Sequence, residues 1–173
     1  MKKTNENLKE RIATDIFNDS DKEKYVDPDS GQTYMETVNK ITIIYADGAY
    51  NKFYINNWGD DDERYDIECK IDDAIDNTKP ALKEALQDLE CKDMEELNEI
   101  LDEMGLTHAK YKENDELGYV MYVEEISREY GSNNTVSDYY ILGFVSIRNG
   151  KLNINTEPDV DEEFGEKILF GEI

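Results

Sequence analysis

The negative charge of this chain is concentrated in one stretch, and that concentration limits how the chain can fold. Its 173 residues include 42 Asp and Glu against 19 Lys and Arg, for a net charge of −23. Residues 1–25 are electrically neutral, whereas residues 60–103 carry a net charge of −13. Repulsion of this size destabilises a compact state, and it excludes ordinary attraction to nucleic acid or to anionic membranes. This excess of negative charge must therefore be favoured by a basic partner, by bound cations or by a need for solubility.

Large apolar residues are nevertheless frequent enough for a folded protein. The hydrophobic fraction is 38%, and the chain contains 12 Tyr, 5 Phe and 1 Trp. Disorder requires high charge together with few large apolar residues, and only the first condition holds here. Because neither an internal repeat nor a linker is visible, residues 1–173 are predicted to form a single domain.

Cysteine usage indicates a reducing compartment. Cys69 and Cys91 are the only two cysteines, which is too few for a disulfide framework, and they do not form a metal-type C-x-x-C pair. The sequence shows neither an apolar run of about 18 residues nor a basic and apolar leader. We therefore expect a cytoplasmic protein that does not contact membranes.

Three segments have the apolar spacing of amphipathic helices. Leu8, Ile12 and Ile16 recur every four residues and predict an N-terminal helix over residues 5–18. Two further helices are predicted over residues 78–90 and 93–104, and they are expected to form a helical hairpin.

Most of the remaining chain has the β-branched and aromatic composition of strands. Turn sequences at Asp47-Gly48 and Asn149-Gly150 predict hairpins. The predicted strands cover residues 24–26, 33–35, 40–55, 64–71, 108–112, 118–125, 139–148 and 151–155. The expected fold class is α+β, a mainly antiparallel sheet with an N-terminal helix and a central helical hairpin.

Catalytic signatures are missing from the sequence. His108 is the sole histidine, and it is interpreted as a structural or surface residue because no nucleophile motif accompanies it. The glycines form no phosphate-binding loop, and neither acidic stretch beginning at Asp27 or Asp159 satisfies an EF-hand. We expect no enzyme activity, no cofactor and no metal site.

The segment 93–104 is the sharpest functional signal. It holds six acidic residues and no basic one, and Glu95, Glu99 and Glu103 form like-charge pairs that each cost roughly 0.2–0.5 kcal/mol. Twelve helical residues span about 18 Å, so one charge falls about every 3 Å, close to the ~3.4 Å spacing of phosphates along one DNA strand. The alternative interpretation is a solvated face in a generally acidic protein.

The acidic residues of this helix and of the 60–63 loop are the candidate partner-binding surface. For the loop, a solvated acidic segment is preferred over a Ca²⁺ or Mg²⁺ site. The predicted contact residues are Asp60, Asp61, Asp62, Glu63, Glu95, Glu96, Glu99, Asp102 and Glu103.

In size, charge density and lack of catalytic motifs, the chain resembles the small acidic antagonists of phages and mobile elements, such as anti-CRISPR and antirestriction proteins that mimic DNA. No family motif aligns, so the resemblance assigns no functional residue. It implies an inhibitor whose partner is a basic nucleic-acid-binding enzyme, a CRISPR effector or a restriction nuclease. The alternatives are an immunity protein or antitoxin that neutralises a toxin nuclease, and a non-catalytic acidic binding module.

Overall fold

The computed structural model describes residues 8–56, 61–113, 115–128 and 134–156. Within these ranges the chain forms seven strands and two helices. Their bounds are β1 Ala13–Val26, β2 Thr33–Tyr45, β3 Tyr50–Asn56, α1 Asp61–Leu86, α2 Met94–Glu103, β4 Thr107–Glu113, β5 Glu116–Arg128, β6 Thr135–Arg148 and β7 Lys151–Asn155.

The strands form one curled, mixed sheet in the order β3-β2-β1-β5-β6-β7. At its centre β1 runs parallel to β5, and the other neighbouring strands are antiparallel. Strand β6 pairs along one edge of β5, so β4 and β1 share the other edge, with β4 on its first half and β1 on its second. The prediction of a mainly antiparallel α+β fold is therefore wrong, because the protein is mostly β with a parallel central pair.

The predicted N-terminal helix is also wrong, because residues 13–18 of that segment belong to strand β1. Leu8, Ile12 and Ile16 are all buried, as the pattern required. Leu8 and Ile12, however, precede β1, and only Ile16 of the three lies within the strand. Ile16 pairs with Ile43 on one side and with Glu125 on the other, so hydrogen bonds to two distant strands replace the local helix.

Helix α1 begins earlier than the pattern indicated. The predicted strand over residues 64–71 is wrong, because α1 starts at Asp61 and runs through that segment. Pro80 lies inside this helix. Its buried residues recur at steps of three and four, which places one continuous stripe against the sheet. That stripe consists of Ile71, Ala74, Ile75, Thr78, Ala81, Leu82, Ala85 and Leu86.

The two helices do not form the predicted hairpin. Helix α1 packs on β1, β3, β6 and β7, while α2 packs on β4. Both helices contribute to one core cluster with the same face of the sheet, so they form a single layer over that face. The ends of α2 agree with prediction, since Asp93 caps its start and Gly105 follows its end with φ of +71°.

Thr78 joins α1 to the start of β1 inside this core. Its hydroxyl accepts the Ala13 N–H at 2.9 Å and donates to the Ala74 carbonyl at 2.7 Å, and its side chain is fully buried.

Replacing Thr78 with valine is expected to cost about 1–3 kcal/mol in the free energy of unfolding, because the buried Ala13 amide loses its partner. Urea denaturation measures this loss. Thr78→Ser keeps the hydroxyl and should cost only about 0.8 kcal/mol, and a valine variant as stable as the wild type would contradict the assignment.

A two-stranded ribbon extends beyond the sheet. The pairing of β1 with β5 ends at Asp19, and that of β2 with β3 ends at Val38. Beyond those points, residues 20–26 and 33–37 pair only with one another among the described residues. The predicted strands over residues 24–26 and 33–35 are confirmed, and they are the ends of two longer strands that pair with each other. Its exposed large side chains are Tyr25, Val26, Tyr34 and Met35.

Candidate functional site

The carboxylates of the α2 segment fall into two groups, and the first group serves the fold. Asp93 accepts the Glu96 N–H at 2.9 Å, and the Glu96 carboxylate accepts the Lys92 N–H at 2.8 Å. Asp102 accepts a hydrogen bond from the Asn98 side-chain amide at 3.3 Å. These three carboxylates satisfy donors at the helix start or along its surface, so a partner would compete with the protein's own groups for them.

The second group is a stripe of exposed carboxylates, which we call the acidic stripe: Glu95, Glu99 and Glu103. All three side chains are exposed, and none forms an ion pair within 4.0 Å among the described residues. They are four residues apart, so they follow one line along the helix at intervals of about 6 Å. The stripe is therefore about half as dense in charge as the sequence estimate, which counted all six acidic residues.

His108 fixes the helix that carries the stripe. Its Nδ1 lies 2.8 Å from the Leu106 carbonyl oxygen and its Nε2 lies 2.8 Å from Asn98 Oδ1. The ring also meets Tyr119 edge-on, with 4.8 Å between centroids. Its side chain is only 9% exposed. The structural interpretation of His108 is confirmed, because the ring ties α2 to the neighbouring strands and has little access to a substrate.

The stripe can be tested for its cost to the fold. Glu99→Lys turns two repulsive i,i+4 pairs, with Glu95 and with Glu103, into attractive ones. Each repulsive and each attractive pair contributes about 0.2–0.5 kcal/mol, so the variant is expected to be more stable by about 1 kcal/mol. Thermal and urea denaturation measure the gain, and Glu99→Gln should show about half of it. A Lys variant less stable than the wild type would mean that Glu99 has a partner that stabilises the native fold.

The other predicted contact residues precede or begin α1. Asp60 lies outside the described residues. Asp61, Asp62 and Glu63 form the first turn of α1 rather than a loop, and their side chains lie outside the described part of the structure. Carboxylates in a first helical turn complement the positive end of the helix dipole, which gives them a structural reason to be acidic. Among the side chains that the structure describes, the predicted contact residues that lie together are those of α2.

Sequence reasoning missed a cleft between α1 and β6. Its volume is about 510 Å³. Its lining residues are Asp72, Ile75, Asp76, Lys79, Tyr139, Tyr140 and Ile141. The spacing of Asp72 and Asp76 on one helix was visible in the sequence, but the strand that faces them lies more than 60 residues further along the chain. No short-range sequence pattern could have indicated that the two walls of the cleft lie together.

Glu125 lies beside this cleft and is only 7% exposed. Its carboxylate accepts a hydrogen bond from the Tyr140 hydroxyl at 3.2 Å. Burial raises the pKa of the Glu125 carboxyl, and the nearby Asp138 charge adds to the rise, while the hydrogen bond from Tyr140 opposes it. Burial also raises the pKa of Tyr140, and the Glu125 charge acts in the same direction. The fold thus keeps a buried carboxyl hydrogen-bonded to Tyr140, one of the residues that line the cleft.

Glu125 makes stability depend on pH. Because its native pKa lies above the ordinary value of 4.5, the native state holds the proton more tightly than the unfolded state, and stability falls as pH rises above 4.5. Glu125→Gln keeps an oxygen for Tyr140 and removes the buried charge. It is expected to raise the free energy of unfolding at pH 7 by more than about 0.5 kcal/mol, the usual spread of neutral substitutions, and to have little effect at pH 4. Urea denaturation at both pH values checks this, and a pH-independent difference would contradict it.

Other chemistry is sparse in the described part of the chain. These residues contain no group of three or more His, Cys, Asp or Glu positioned to hold a metal ion. Cys69 and Cys91 are both free thiols, and Cys91 is buried. No helix among these residues is long and apolar enough to cross a membrane.

Comparison of the chain with protein-family models, with curated proteins and with solved structures finds no match. The functional argument therefore depends on the geometry and charge of the site itself.

Proposed function

We propose that this protein is an inhibitor that binds a basic nucleic-acid-binding enzyme and blocks its nucleic-acid site. The enzyme class is a CRISPR effector or a restriction nuclease. The carboxylates of the protein stand in for backbone phosphates, so the protein itself binds no nucleic acid and catalyses no reaction. The two free thiols agree with a reducing, cytoplasmic site of action.

The acidic stripe is the observation that carries the proposal. Glu95, Glu99 and Glu103 are exposed without an ion pair among the described residues, and they repel one another along α2. A helix selected only for its contribution to folding gains stability when lysine alternates with glutamate. The retained repulsion supports a role in attracting a positively charged surface.

The arrangement of the helices supports the same proposal. Helices α1 and α2 both pack against the same core cluster, and each presents exposed carboxylates. Exposed acidic residues on α1 include Glu68, Asp72, Asp73 and Asp76. An extended negative surface of this kind steers a basic partner during association and makes the association rate sensitive to salt.

The deciding experiment measures DNA binding by a purified CRISPR effector or restriction nuclease in the presence of the protein. We expect the protein to compete with DNA for the enzyme. The affinity of the protein for the enzyme should fall steeply as the salt concentration increases. Saturating DNA should in turn displace the protein. If the protein binds the enzyme together with DNA, it does not act as a phosphate mimic. Neutralisation of a toxin nuclease, without effect on the other two classes, would support the immunity-protein alternative.

A further inference from the structure

The cleft between α1 and β6 has the size and lining of a ligand site that the acidic stripe does not use. Its volume of about 510 Å³ lies within the ~300–1,000 Å³ typical of ligand pockets. Asp72 and Asp76 lie one helical turn apart at its rim, and both are exposed. Among the described residues neither carboxylate forms an ion pair within 4.0 Å. The cleft therefore offers a ligand two carboxylates against the single ammonium group of Lys79.

Apart from Lys79, the side chains that α1 and β6 direct toward each other here are apolar or aromatic. Ile75 is 6% exposed, and Tyr140, which packs against the same core cluster, is partly buried. Tyr139 and Ile141 flank Tyr140 on β6 and direct their side chains to the opposite face of the sheet. A guanidinium group suits such a lining better than an ammonium, because its planar fork pairs with carboxylates while its faces stack on aromatic rings. The aliphatic stem of an arginine can lie along the Ile75 side chain.

Neighbouring charges strengthen the attraction for a cation. Glu125, 7% exposed, is connected to the cleft by its hydrogen bond with Tyr140. The Glu68 and Asp138 carboxylates are close enough to act on the Glu125 charge. Lys79 is the only basic residue of the described lining, and it follows Asp76 by three residues. The Lys79 charge directs an incoming cation toward Asp72, at the other end of the pair.

We propose that this cleft binds the guanidinium group of an arginine side chain. The source of that arginine, a basic partner protein, rests on the proposed function, whereas the binding chemistry rests on the cleft alone. An arginine inserted here would anchor the partner beside the helical layer, and the rest of the acidic surface would steer its approach.

The test uses the isotope-labelled full chain and N-acetyl-arginine amide, followed by NMR. Saturable shifts are expected at the amides of Ile75, Tyr140 and Ile141, with a dissociation constant on the order of 1 mM for so small a ligand. The corresponding citrulline derivative has the same shape without the charge and should bind at least about tenfold more weakly. The lysine derivative should also bind more weakly, because an ammonium lacks the planar fork.

Two variants locate the effect. Asp72→Asn with Asp76→Asn should abolish the saturable shifts, whereas Glu95→Gln with Glu99→Gln removes the same charge elsewhere and should leave them unchanged. The proposal fails if the arginine derivative produces no saturable shift in the cleft, if citrulline or lysine binds equally well, or if the Asp72 and Asp76 variant retains full affinity. Arginine binding in a protein that blocks no nuclease would refute the proposed function and leave the cleft assignment intact.

Discussion

Replacing Gly118 with alanine is expected to destabilise the protein by about 3 kcal/mol, at the upper end of the cost of overpacking a core. A Cβ at this position would fall against the Val145 carbonyl oxygen and within 2.8 Å of the Tyr111 ring. The carbonyl belongs to the backbone of the neighbouring strand β6, so it cannot rotate away. Tyr111 is itself buried and packs edge-on against Phe144, with ring centroids 5.4 Å apart. Urea denaturation monitored by circular dichroism measures the loss.

Gly31→Ala is the matched control for this substitution. Gly31 has φ of +70°, but a Cβ there would meet nothing within 4 Å. It should therefore cost only the roughly 1–2 kcal/mol of a left-handed backbone. If the two variants lose the same stability, then β5 and β6 can separate enough to admit a methyl group, and the close approach at Gly118 is not required by the fold.

Reversing the charge of the acidic stripe is expected to weaken inhibition of the target enzyme by about 100-fold or more. Glu95→Lys, Glu99→Lys and Glu103→Lys together remove three carboxylate contacts of about 1 kcal/mol each, and 1.4 kcal/mol corresponds to a tenfold change in affinity. The repulsion introduced between the new lysines and a basic surface adds to that loss. Inhibition titrations at two salt concentrations also test a second result, since the variant should show a smaller dependence on salt.

A scattered triple reversal separates the stripe from the total charge. Glu10, Asp19 and Asp29 lie outside both helices, are exposed and form no ion pair within 4.0 Å among the described residues. Their change to lysine alters net charge by the same amount, and inhibition should fall much less than in the stripe variant. Equal losses in the two variants would show that the partner responds only to net charge. Unchanged inhibition in the stripe variant would exclude α2 from the interface.

Features that depend on neighbouring residues could be predicted from the sequence. Helix α2 and its Asp93 cap are examples, and so is the turn at Asn149-Gly150, where both residues have positive φ. Features that depend on distant pairing were not predictable. The N-terminal segment looked helical because Leu8, Ile12 and Ile16 recur at helical spacing. Only pairing with β2 and β5 makes the chain a strand from Ala13 onward.

The candidate site also combines features that the sequence indicates with features that depend on distant pairing. The like-charge spacing of Glu95, Glu99 and Glu103 is a property of the sequence. The hydrogen bond from the Lys92 amide to the Glu96 carboxylate depends on the backbone conformation just before the helix. The sequence indicates that conformation only in part. The cleft forms because Asp72 on α1 lies near Tyr140 on β6. The order of the strands in the sheet creates this proximity, and the sequence does not indicate that order.

The parallel pairing of β1 with β5 also sets an order for the folding of the nascent chain. Asp15 pairs with Glu124, so this contact cannot form until more than 100 further residues have been synthesised. Strands β1, β2 and β3 can associate early through their short turns, but the β1 edge that receives β5 then stays open. Contacts of such long sequence separation slow folding, and an open strand edge is prone to pair with other chains in the meantime. We expect folding to be rate-limited by the arrival of β5, and slower than the length of the chain alone would suggest.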